Sequence, residues 1–168
     1  MKRTIRNSIS FITCLVLILS LVMSLTGCFF HSGKPGVFEP VEITSDNREA
    51  LDELENAILQ DPAIKKISYG CHKGDSKAAS TELSMDLTLE KSIDKESAEE
   101  LMKSVILPRL AKNSDIIQIL LSSGDWHSLR INFVEPSGGM PVCYSSDETS
   151  DFQVWKDDGI SFDLKDYA

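Results

Sequence analysis

Residues 83–90 constrain this chain more than any other stretch. Leu83, Met85, Leu87 and Leu89 alternate with Ser84, Asp86, Thr88 and Glu90. Side chains leave a strand on opposite faces in turn, so this pattern puts one face on a core and the other in water. It suits an antiparallel sheet, since parallel sheets are covered on both faces and read as unbroken apolar runs. The rest of the chain must supply a second layer, and for one face only.

Two helices can supply it. Asp46-Asn47-Arg48-Glu49 has the spacing of a capping box. Ala50, Leu51, Leu54, Ala57 and Ile58 then recur on one helical face until Asp61-Pro62 stops the run. A second helix is predicted from Asp94 to Lys112, with Ala98, Leu101, Met102, Val105 and Ile106 as its apolar stripe. Glu96, Glu99 and Glu100 near its start and Lys112 at its end complement the helix dipole. Pro108 falls late in this pattern and predicts a kink or a restart. Further strands are predicted at 63–71, 116–122, 129–134, 152–155 and 160–164. The second and third of these form a hairpin across Ser123-Gly124-Asp125-Trp126, and the last two flank Lys156-Asp157-Asp158-Gly159. Residues 136–151 read as a long polar loop.

The order α-β-β-α-β-β-β-β is an α+β fold: two helices packed on one face of a mostly antiparallel sheet, an open-faced α/β sandwich. It occupies a single domain, residues 45–168. Residues 28–44 contain Gly33, Pro35, Gly36 and Pro40 and read as a tether. Val37-Phe38-Glu39-Pro40-Val41-Glu42-Ile43 is less polar than a free linker, so part of it is expected to dock as an edge segment.

The charge is split between the two ends. Residues 1–27 hold Lys2, Arg3 and Arg6 and no acid; without them, 14 basic residues face 26 acidic ones, a balance of −12. A surface this acidic repels phosphates, so nucleic acid is excluded as a partner. Residues 1–6 are followed by an apolar run from Ile9 to Leu25, roughly 17 residues and short for a membrane span of about 20. The run ends in Leu25-Thr26-Gly27-Cys28.

That tetrad resembles the lipobox of bacterial lipoproteins: an aliphatic residue, a small one, Gly or Ala, then Cys. The resemblance covers the first sixth of the chain and implies a signal peptide over 1–27, cleaved between Gly27 and Cys28. It further implies a diacylglyceryl thioether, and further acylation, on Cys28. Two acyl chains hold a protein on a bilayer where one binds marginally. The implied location is the extracytoplasmic face of the cell membrane, or the outer membrane where the host has one. A plain transmembrane anchor and an ordinary secretory signal are the alternatives. Cys14 leaves with the signal.

The mature part offers few chemical groups. Cys71 and Cys143 form a candidate disulfide, since paired thiols suit an oxidising compartment. A nucleophile reading of Cys71 beside His72 is weak, because neighbours on a strand point to opposite faces. Cys71, His72, His127 and Cys143 have metal-ligand types without metal-ligand spacing. Asp147, Glu148, Asp151, Asp157 and Asp158 read as solvated loop acids rather than a calcium loop. Trp155 is expected in the core, whereas Trp126 and His127 are candidate ligand contacts on a turn. No catalytic set, metal site or cofactor motif is read. These residues point to a membrane-anchored, non-catalytic domain that binds a protein, peptide or envelope component. A small extracytoplasmic hydrolase and an accessory subunit of a membrane complex are the alternatives.

Overall fold

The alternating stretch at 83–89 becomes β3 (Glu82–Leu89), third of seven strands in one sheet ordered β1 to β7 along the chain. A computed structural model describes residues 37–73 and 81–168. The leader, the Gly27–Cys28 bond and residues 74–80 lie outside the described residues, as do the side chains of Val37, His72 and Lys73. The other strands are β1 (Val37–Pro40), β2 (Ile64–Lys73), β4 (Ser128–Val134), β5 (Val142–Asp147), β6 (Val154–Asp157) and β7 (Ile160–Asp163). Every pairing is antiparallel except β3 with β4, which is parallel from Glu82↔Ser128 to Thr88↔Val134. The α+β class and the mostly antiparallel sheet therefore stand.

A parallel pair needs a crossover, and the only regular elements between β3 and β4 are helical. It runs through α2 (Lys95–Leu101), a π-helical turn (Met102–Ile106), α3 (Leu107–Lys112) and α4 (Ser114–Leu121); the earlier α1 is Glu49–Leu59. Asp94 caps α2, accepting from the Ser97 N–H at 2.8 Å. Pro108 has no N–H to offer the preceding turn, and the ladder there widens: the Leu107 N–H reaches back to the Met102 carbonyl. This is the restart that Pro108 implied.

Three expectations need correction. Residues 116–122 are helix α4, not a strand, so the hairpin with 129–134 does not exist. The apolar pattern Ile116, Ile117, Ile119, Leu120 fits both periods, and the parallel crossover decides it: the helix buries all four against the core. Residues 142–147, assigned to a loop, are strand β5. Its inward positions Val142, Tyr144 and Ser146 are buried, but Ser145, Ser146 and Asp147 made the run look like a turn. The capping box at Asp46 does not form. Arg48 fastens the start of α1 instead, donating to the Ile43 carbonyl at 2.6 Å, to Asp52 at 2.8 Å and to Glu55 at 2.6 Å.

The folded unit also begins earlier than residue 45. β1 pairs with β2 from Val37↔Lys73 to Pro40↔Gly70, and Ile43 is buried in the core. At the other end of the chain the last hairpin forms as expected, with Gly159 supplying the positive φ (+82°) its turn demands.

The α-helices share one core with the inward face of the sheet. Leu51, Leu54 and Ile58 of α1 meet Met102, Ile106 and Leu107 of the crossover and the inward residues Leu83, Met85, Leu87, Leu129, Ile131 and Phe133. Trp155 joins them at 1% exposure, as expected. Each such side chain contributes about 1.5–3 kcal/mol by leaving water.

Candidate functional site

The opposite face of the sheet has no helix over it among the described residues, and its composition is different. Strand alternation sends Ser68, Ser84, Asp86, Thr88, Arg130, Asn132, Cys143 and Ser145 to this face. Ser84, Asp86 and Asn132 are nonetheless buried, at 0%, 7% and 1% exposure. They sit on the central strands β3 and β4. The Asn132 amide donates to Asp86 Oδ1 at 2.7 Å across the parallel pair, and the Ser84 hydroxyl donates to the Gly70 carbonyl at 3.1 Å. Arg130 pairs with Glu82 at 3.1 Å, and Ser128 donates to the same carboxylate at 3.5 Å.

Two atoms on this face are buried with no hydrogen-bond partner among the described residues, Asn132 Oδ1 and Arg130 Nε. Each such atom costs about 1–3 kcal/mol in a folded chain. They are one acceptor and one donor, two positions apart on β4, on the same face. Cys143 stands opposite Asn132 across the β4–β5 register. Burial pushes its thiol up, an effect that outweighs the lowering by the Arg130 cation, so the sulfur is kept protonated and poorly nucleophilic.

The sheet end where β4 starts and β5 stops carries the second group. Trp126 and His127 precede β4, and Glu148 follows β5. His127 Nδ1 contacts Glu148 Oε1 at 2.5 Å, with both side chains about half exposed. The hydrogen bond to the Glu148 carboxylate, and then its charge, raise the His127 pKa above 6.5. Backbone bonds lock the same corner: the His127 N–H donates to the Thr81 carbonyl at 2.8 Å, and the Glu148 N–H to the His127 carbonyl at 3.2 Å. Next to it Asp151 and Phe152 both take left-handed backbone, φ +50° and +57°, which returns Phe152 to the core. Such conformations cost about 1–3 kcal/mol each outside glycine.

No family model, curated protein or solved structure matches the chain. Its residues must therefore be weighed on their own geometry.

Of the residues singled out from sequence, Trp126 turns inward. Its indole packs on the core, lies over Gly124 and donates its N–H to the Ser123 hydroxyl at 2.9 Å. His127 stays accessible. The two cysteines are free and are not brought together. Cys71 shares the inward parity of Ile67 and Tyr69, Cys143 points outward, and β2 and β5 are three strand steps apart. Those steps span about 14 Å, twice the roughly 7 Å that a disulfide tolerates between Cα atoms. Among the described residues no three His, Cys, Asp or Glu side chains are placed to share a metal ion, and no helix is long and apolar enough to cross a membrane. Sequence reasoning missed Asp86, Asn132 and Arg130. The available signal was the polar half of the same alternation, an Asp at the centre of the most regular strand.

Proposed function

We propose that this chain is a lipoprotein, anchored by acyl groups on Cys28 at the extracytoplasmic face of a membrane. Its sheet domain acts there as a non-catalytic interaction module. The observation that carries the reading is the tetrad Leu25-Thr26-Gly27-Cys28 at the end of a basic, then apolar, leader. The helix-free face supports the second half. It is polar, it holds on one strand a donor and an acceptor with no partner among the described residues, and its thiol, Cys143, is held in the protonated form. These groups recognise better than they react. The ligand that fits is a peptide or other envelope component offering both a carbonyl and an N–H.

A fatty-acid analogue fed to cells should label the wild type and leave Cys28→Ala unlabelled and partly released from membranes. Equal labelling of both removes the anchor. A photo-crosslinker at Ser145, on the helix-free face, should give adducts in intact cells that one at Lys112, on the helical layer, does not. Adducts from both, or from Lys112 alone, remove the recognition face.

A further inference from the structure

The one Asp–Gly step in the chain, Asp158-Gly159, forms the loop of the last hairpin. We propose that this step is a site of self-modification. Asp158 isomerises to isoaspartate through a cyclic imide closed by the Gly159 nitrogen, and Lys95 promotes the reaction. Only the chain itself and water take part.

The ladder between β6 and β7 closes on Asp157↔Ile160, so the Gly159 N–H lies beyond it. Both loop residues are exposed, and Gly159 holds φ +82°. Glycine has no side chain to crowd its nitrogen, and even an added Cβ would meet nothing within 4 Å. Lys95, the first residue of α2, reaches this loop from the crossover. Its Nζ donates to the Asp158 main-chain carbonyl at 3.3 Å and pairs with Asp157 Oδ2 at 2.9 Å. The hydrogen bond to Asp157 raises the Lys95 pKa, so the ammonium stays charged where it touches the loop.

The steps balance within the loop. The Gly159 nitrogen forms a bond to Asp158 Cγ, and the bond from Cγ to its hydroxyl breaks. That hydroxyl leaves as water with the proton from the nitrogen. Water then adds to the Asp158 main-chain carbonyl carbon, whose bond to the nitrogen breaks. The main chain now runs through Cβ and Cγ, one carbon longer, and the old carbonyl has become a free carboxylate. Lys95 bears on both steps. Its ammonium lies on the oxygen that takes up charge as the Gly159 N–H yields its proton. It also polarises the carbonyl that the second water attacks. The added carbon does not fit a two-residue loop of fixed register, so the contact between α2 and the hairpin loosens as the molecule ages.

The test is incubation of the folded full chain at neutral pH, then digestion and fragmentation mass spectrometry that tells the two aspartyl isomers apart. Isoaspartate should build up at position 158 ahead of every other aspartate. Lys95→Gln should slow it severalfold in the folded protein and leave the rate in urea unchanged, while Lys95→Arg keeps most of the native rate. Gly159→Asn, which tolerates the left-handed turn and shields the nitrogen, should slow it in both states. A Lys95→Gln chain whose turn had merely loosened would react faster, not slower. Folded wild type with no isoaspartate at 158 overturns the site. A Lys95→Gln rate equal to or above the native one overturns the role of Lys95.

Discussion

The two faces of one sheet are built on opposite terms. The helical side is apolar and filled: Leu87, Phe133, Leu51, Leu54 and Ile58 are all at 0% exposure in one continuous core. The other side buries polar groups in the same central strands; among the described residues Asn132 Oδ1 and Arg130 Nε there lack a hydrogen-bond partner, as Tyr144 Oη and Trp155 Nε1 do on the helical side. The first face holds the fold; the second spends part of that stability on burying Ser84, Asp86 and Asn132. Phe133 and Asn132 are neighbours on β4, so a single residue step separates the two regimes.

The comparison is broken most directly at Phe133. Phe133→Ala removes a ring that sits edge-on to Tyr144, with centroids 6.4 Å apart, and should cost about 3–5 kcal/mol in urea unfolding. A loss under 1 kcal/mol would mean that the helical face is not the foundation described. Asp86→Ala, on the other face, strands the Asn132 amide and should cost about 1–3 kcal/mol by the same measurement. If it is instead neutral, the buried polar pair contributes nothing to folding. Tyr69→Phe sharpens the contrast from the helical side. It removes a hydroxyl that donates to Glu55 at 2.8 Å and should cost about 1 kcal/mol.

The smallest effect is the pH response of the exposed His127–Glu148 contact. The folded pKa of His127 is raised, so its contribution is full below about pH 6.5 and is lost as pH rises through the folded value. Thermal unfolding should show a slight decline across that window that His127→Gln removes. An unchanged decline in the variant would assign the titration to another group.

The apolar face was legible from residue order because burial and period coincide there. Leu83 to Leu89 and Leu129 to Phe133 could hardly pack otherwise. Asp94 and Pro108 were equally plain, since one caps and the other lacks a donor. What the order of residues did not carry was the choice made by tertiary context. Ile116 to Leu121 satisfies a strand and a helix alike, and the parallel seam makes the choice. Ser145 to Asp147 has the chemistry of a turn and is strand because β4 on one side and β6 on the other offer it ladders. The site residues were hidden for a related reason. Asp86 and Asn132 lie 46 positions apart and meet only through that seam.

The seam also has a consequence in time. β1 to β3 can zip together as soon as they are made, but the remaining edge of β3 waits for residues 128–134, some forty positions later. Through that interval the most regularly apolar strand of the protein offers open backbone to any extended neighbour, including a sister chain. Contacts so distant in sequence close slowly. The assembly hazard of this molecule is therefore concentrated at one strand edge, and a chaperone that shields β3 until the crossover closes would protect the whole.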